Sequence, residues 1–197
     1  MSWDIRRVRA GDGEQLRAVR LAALCEWPSA FGETADQAAA LHPADWEARI
    51  ARSCAPGRQI LAVATDRDQG EFVGMLGGFI DSERDRPELL VPVPDGARWA
   101  MIWGAYVRPR ARGRGLADQQ LAIVHRWAAD EARVEWIGLD VVETNTRAVA
   151  FYQRNGYAST ALRRPYANDP ALTEIVMMRQ LRGDSESAQS SARPADR

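Results

Sequence analysis

The segment Val107-Arg-Pro-Arg-Ala-Arg-Gly-Arg-Gly-Leu-Ala117 constrains the fold more than any other stretch of this chain. A β-branched strand end leads into it, and Pro109, Gly113 and Gly115 bar a helix from starting earlier. Beyond Gly115, the residues Leu116, Ala117, Leu121, Val124 and Ala128 recur at helical spacing and mark one apolar face. A strand, a glycine-rich turn and a helix N-terminus in that order make an anion site. The glycines let backbone N–H groups approach a phosphate, and the helix dipole favours negative charge there. Arg110, Arg112 and Arg114 add positive charge around it. The expected ligand is a phosphorylated cofactor.

The nucleotide loops are tested directly. No Gly-Lys-Ser/Thr ending is present, so the lysine and Mg²⁺-binding hydroxyl of a P-loop are missing. G-x-G-x-x-G is missing too, since Asp118 stands three residues after Gly115. What the segment does contain is Arg112-x-x-Gly115-x-Ala117, preceded by Tyr106-Val107-Arg108-Pro109. A second segment, Leu139-Asp-Val-Val-Glu-Thr-Asn145, leads into Thr-Arg-Ala-Val-Ala-Phe-Tyr152 and a stop at Gly156-Tyr157. Asn145, Ala148 and Tyr152 share one helical face, and glycine is a favourable residue just past a helix end. The first motif resembles the pyrophosphate signature of the GNAT acetyltransferase superfamily, Gln/Arg-x-x-Gly-x-Gly/Ala. The second resembles its Asn-x-x-Ala-x-x-x-Tyr hallmark. The two together, in this order, are far more specific than either alone.

A chain of 197 residues buries one sizeable core. With 27% charged and 46% apolar residues it suits a folded soluble protein. The net charge of −1 gives no general reason to expect nucleic acid or an anionic membrane. RNA contact through 108–114 is a rival that a phosphate-bearing cofactor explains away. Two cysteines, Cys25 and Cys54, make no disulfide framework, and neither has Cys or His at metal-ligand spacing, so no metal is expected. No apolar leader and no run of 18 apolar residues is visible, so the expected location is the cytoplasm.

Strands are expected at 3–9, 59–65, 71–80, 98–107, 134–141, 157–163 and 173–181. Helices are expected along the stripe Leu16, Val19, Arg20, Ala23 and Leu24, then at 43–52, 116–131 and 146–155. Residues 27–32 read as a loop, Gly74, Gly77 and Gly78 as points of close backbone approach, and 81–96 as a charged, proline-rich loop. The domain is expected over 1–182, followed by a disordered tail at 183–197. This order suits an α/β (α+β) fold: one mixed, mostly antiparallel sheet of about seven strands flanked by helices. The resemblance implies further that the strands at 98–107 and 134–141 splay apart to admit a pantetheine arm.

Carried onto this chain, the resemblance implies acetyl-CoA (coenzyme A) as co-substrate. Arg112, Gly113, Arg114, Gly115, Leu116, Ala117 and Asp118 would surround its pyrophosphate. Ala105, Tyr106 and Val107 would bond its pantetheine arm as an added strand. Asn145, a helix N-cap by residue type, would also bind that arm. Asp118 departs from the pattern, because a carboxylate there repels a phosphate unless it points away. By spacing alone Tyr152 is a core tyrosine; the resemblance makes it the general acid that reprotonates the thiolate. Asp140, placed at a strand end, is the candidate base or else a surface carboxylate. Glu143, Glu33 and a water chain are alternatives. His125 reads as a helix surface or boundary residue and His42 as a loop residue. Trp3, Trp46, Trp127 and Trp136 read as packing residues, and Trp27, Trp99 and Trp103 as nearer the acceptor groove.

The expected activity is N-acetyl transfer by direct attack of a primary amine in a ternary complex. The acceptor is expected to be a small molecule, recognised by 24–36, 81–97 and Arg163–Asp169. The alternatives are a protein or peptide amine, or a non-catalytic acyl-CoA-binding module. A homodimer is expected from the resemblance alone.

Overall fold

A computed structural model describes residues 2–81 and 93–181. Seven strands form one sheet: β1 (Trp3–Arg7), β2 (Gln59–Asp66), β3 (Phe72–Asp81), β4 (Trp99–Val107), β5 (Trp136–Val142), β6 (Ala158–Tyr166) and β7 (Asp169–Gln180). Their order is β1-β2-β3-β4-β5-β7-β6. Every pairing is antiparallel except β4 with β5. The sheet is mixed, open and mostly antiparallel, as the sequence led us to expect.

Helices cover both faces, and strand alternation decides which residues meet which layer. Ile60, Ala62, Leu76, Ala100, Ile102, Ile137, Leu139 and Val141 point to one side. There they pack with Leu121 and Val124 of α4 (Leu116–Arg126), with Trp127, and with Tyr152 of α5 (Thr146–Arg154). Leu61, Val63, Met75 and Tyr106 point to the other side. They meet α1 (Gly13–Glu26), α2 (Ala35–Ala39) and α3 (Pro43–Cys54) through Leu16, Val19, Ala23, Leu24, Ala38, Trp46 and Ile50.

Several boundaries differ from the sequence reading. The helix expected to reach residue 131 is regular only to Arg126 and then widens into a π turn at Trp127–Glu131. Helix α2 was missed, although Thr34 and Gln37 form a reciprocal capping box that starts it. The last two strands are longer than expected and meet in a tight hairpin around Ala167 and Asn168. Tyr166 anchors that hairpin by donating its hydroxyl to the Phe31 carbonyl at 2.6 Å. The expected tail at 183–197 lies outside the described residues, as does most of the 81–96 loop.

Leu121 is buried where α4 crosses the sheet. Leu121→Ala is expected to destabilise the fold by about 2–5 kcal/mol, through lost transfer energy and a residual cavity. Urea denaturation measures it, and a loss below about 1 kcal/mol would contradict this packing.

Candidate functional site

The parallel strands β4 and β5 pair only from Trp99 to Met101 against Trp136 to Gly138, and then separate. The local cause is a bulge. Between the pairs Gly77–Trp103 and Met75–Tyr106, two β4 residues, Gly104 and Ala105, face the single β3 residue Leu76. Gly104 sits at φ +66°, a left-handed conformation that a side chain would strain. A bulge bends and twists its strand, which turns the rest of β4 away from β5. Trp103 leans on Gly77, where a Cβ would run into the indole ring. That close approach matches the reading of the glycines in β3.

The gap opens into a cavity of about 650 Å³. Its wall includes Ala105, Tyr106, Val107, Arg112, Gly113, Gly115, Leu116, Ala117, Asp118, Asp140, Asn145 and Tyr152. Of the site residues expected from the sequence, only Arg114 stands outside it, exposed on the loop.

At one end lies the glycine loop. Gly113 and Gly115 have φ of +73° and +72°, so backbone geometry rather than space demands glycine there. Gly115 is the N-cap of α4 and no side chain caps that helix, leaving first-turn amides for an incoming anion. Arg112 lies on the cavity wall but is already held. Its Nε donates to the Val107 carbonyl at 2.8 Å, and its guanidinium pairs with Glu26. The other Glu26 oxygen accepts from the Tyr106 hydroxyl at 2.7 Å. Desolvation works to raise the Glu26 carboxyl, but hydrogen bonds from Tyr106, Arg112 and Trp27 outweigh it and hold the pKa below the usual range. Burial and the same carboxylate push the Tyr106 phenol up to about 12.

The Asp118 carboxylate accepts from Asn155 Nδ2 at 3.1 Å and lies 3.4 Å from Arg154, so the end of α5 offsets its charge. Asn145 caps α5, its side chain accepting from the Ala148 amide at 3.1 Å, and the residue lines the cavity. Tyr152 is buried, and burial raises its pKa well above the ordinary phenol value. Its hydroxyl has no hydrogen-bond partner among the described residues.

Asp140 lies inside β5 rather than at its end, correcting the sequence reading. Its neighbours Leu139 and Val141 face the α4–α5 core, so by alternation Asp140 faces the α1 side. There it accepts from Arg164 at 3.2 Å. Of the three tryptophans expected nearer the groove, Trp99 is the one that packs in the core, buried at the start of β4 in register with Trp136. Trp27 and Trp103 do line the cavity, with Ser29, Phe31, Tyr166 and Ala167. Arg20 also reaches the wall and was missed as a site residue. The available signal was an arginine inside an otherwise apolar helical stripe. Among the described residues no group of three His, Cys, Asp or Glu could hold a metal, and no helix is long and apolar enough to cross a membrane.

The model of the acetyltransferase (GNAT) family matches residues 20–157. The chain belongs to that family, whose fold is that of acyl-CoA-dependent N-acyltransferases. None of the curated proteins matches the chain by sequence. Among solved structures, a GNAT-family acetyltransferase from Streptococcus pneumoniae superposes with a TM-score of 0.72 at 17% identity, covering 91% of this chain and 99% of that one. PaiA N-acetyltransferase from Thermoplasma acidophilum, in complex with coenzyme A, gives 0.65 at 15% identity, covering 91% and 99%. The yncA protein of Salmonella typhimurium, with acetyl-CoA, gives 0.66 at 17% identity, covering 93% and 96%.

Behind Tyr152, its edge-on neighbour Tyr157 bonds His125 Nε2 at 2.7 Å, and Arg179 lies 3.2 Å from His125 Nδ1. Arginine only donates, so neutral His125 accepts at Nδ1 and donates from Nε2. Burial and Arg179 hold His125 down at about 4, against an ordinary 6.5. Between those values the unfolded chain binds a proton that the folded protein refuses. This contribution to stability is complete above pH 6.5 and is lost as pH falls toward 4. The expected loss between pH 7 and pH 5 is roughly 1–2 kcal/mol. His125→Gln should remove that share of the pH dependence of the urea midpoint; an unchanged pH dependence would contradict it.

Proposed function

We propose that this chain transfers an acetyl group from acetyl-CoA to the primary amine of a small molecule by direct attack in a ternary complex. The observation that carries the reading is the unpaired edge of β4 running from the bulge toward an uncapped helix N-terminus. An edge strand offers N–H and C=O groups to an extended, amide-bearing chain, and the helix end offers amides to a pyrophosphate. One continuous cavity joins the two, and coenzyme A combines both chemistries in one molecule.

In this reading Gly113, Gly115 and the amides through Asp118 hold the pyrophosphate, with Arg112 bracing the loop through Val107 and Glu26 and Arg114 supplying positive charge. Ala105, Tyr106 and Val107 bond the pantetheine arm along β4, assisted by Asn145. Acetyl-CoA supplies an activated acyl group and a thiolate leaving group. As the amine nitrogen bonds to the carbonyl carbon and the C–S bond breaks, Tyr152 gives its proton to the sulfur. Burial keeps that proton on the phenol until the thiolate needs it, because desolvation disfavours both anions. Asp140 receives the proton lost by the amine, directly or through water. Most of the rate enhancement comes from holding amine and thioester together.

The cavity wall supports a small acceptor. Trp27, Phe31, Trp103 and Tyr166 present apolar and aromatic surface suited to a compact molecule.

Tyr152→Phe tests the chemistry. It should depress thiol release from acetyl-CoA in the presence of amine by about 10²–10⁴-fold, with cofactor affinity nearly unchanged. Unchanged thiol release would remove Tyr152 from the acid role.

A further inference from the structure

Arg20 lies on the buried stripe of α1 and is 8% exposed. Its Nε donates to Glu33 at 3.0 Å, and its guanidinium lies over the Phe31 ring, 4.7 Å from the centroid. Its Nη1 is buried and has no hydrogen-bond partner, although the residue lines the cavity. A buried guanidinium N–H without a partner is costly, which singles this atom out as a group awaiting a ligand. Glu33 does not neutralise it, because Arg49 binds the same carboxylate at 2.7 and 3.3 Å. Two cations share one anion, so the cluster of Arg20, Arg49 and Glu33 carries a net positive charge. A neutral acceptor would satisfy the N–H, whereas only an anion also restores charge balance.

Its place fixes the geometry of that anion. Arg20 Nη1 stands 3.6 Å from where a Cβ would project on Gly104, at the bulge. Extending the β4–β5 register from Met101–Gly138 by two residues sets Asp140 level with Trp103, beside that bulge and across the gap. Asp140 faces the same side of the sheet as α1. Arg20 and Asp140, the latter paired with Arg164, thus place a cation and a carboxylate on the wall of one cavity.

We infer that the acceptor is an amino acid, an α-amino carboxylate with an apolar side chain, whose carboxylate binds Arg20 Nη1 while its amine faces Asp140. The inference rests on the proposed acetyl transfer at this cavity. The carboxylate of an α-amino acid is two bonds from its nitrogen, which suits an anion site next to the bulge where the thioester carbonyl would lie. Phe31, Trp27 and Tyr166 surround the remaining space with apolar surface.

The test compares phenylalanine, methionine and leucine with the amines left by removing their carboxylates. Thiol release from acetyl-CoA and calorimetric titration into the protein saturated with coenzyme A are both read. The amino acids should be preferred by roughly 10- to 100-fold in kcat/KM and in affinity, as expected for a charge-assisted hydrogen bond. Arg20→Met should erase the preference, mainly through KM, and Arg20→Lys should restore part of it. If Arg20→Met does not fold, the wild-type comparison decides alone. The inference is overturned if the decarboxylated amines match or exceed the amino acids, or if no amino acid in the panel binds while coenzyme A does. It is overturned equally if Arg20→Met slows both series alike, which would place Arg20 on the thioester. Failure of coenzyme A itself to bind would instead overturn the reading beneath it.

Discussion

The separation of β4 from β5 is the constraint on which the rest of the site depends. Two parallel strands that begin paired lose each other after three residues, leaving main-chain donors and acceptors open along both edges. Inside a fold such groups need partners. The bulge at Gly104 and Ala105 imposes this arrangement, and the packing of α1 and Trp103 against β3 and β4 supports it. The structure thus spends ordinary sheet pairing to make a slot whose walls are main chain, suited to an extended ligand carrying amides.

Charge is distributed around the slot with the same economy. At the phosphate end the glycine loop offers backbone rather than side chains, and the cations near it are mostly committed. Arg112 braces the loop against Glu26, and Arg110 pairs with Glu71 at 2.7 Å. Asp118, which looks hostile to phosphate in the sequence, is drawn to Asn155 and Arg154 and ties α4 to α5. At the acceptor end the balance reverses. Arg20 and Arg49 share Glu33, and Asp140 engages Arg164 of β6, on the side of β5 away from the gap. In the proposed reading the two ends would select by different means: one by backbone dipoles, the other by side-chain charge held in a low-dielectric pocket.

What could be read from the sequence was whatever depends on near neighbours. Glycines before a periodic helix locate the loop, and the Asn145–Tyr152 spacing locates α5 and its cap. Alternation marks the strands, apart from their ends. What could not be read depends on distant partners. Tyr166 ends β6 where it does because Phe31 receives its hydroxyl, a contact between residues far apart in the chain. Trp99 and Trp103 look alike in sequence, yet register buries the first beside Trp136 and places the second on the cavity wall. Arg20 is the sharpest case. Periodicity put it correctly on the buried face of α1, but its role depends on Glu33, Arg49 and Gly104 converging from three other segments. The capping box of α2, Thr34 with Gln37, is local and legible in the sequence.

Calorimetric titration with coenzyme A, alongside ADP and pantetheine separately, tests the central claim that one slot joins a main-chain edge to a phosphate-binding helix end. Coenzyme A should bind in the micromolar range, and each fragment much more weakly, because each engages only half of the slot. Absence of coenzyme A binding would contradict the account. So would ADP binding as tightly as the whole cofactor, since the parted strands would then contribute nothing.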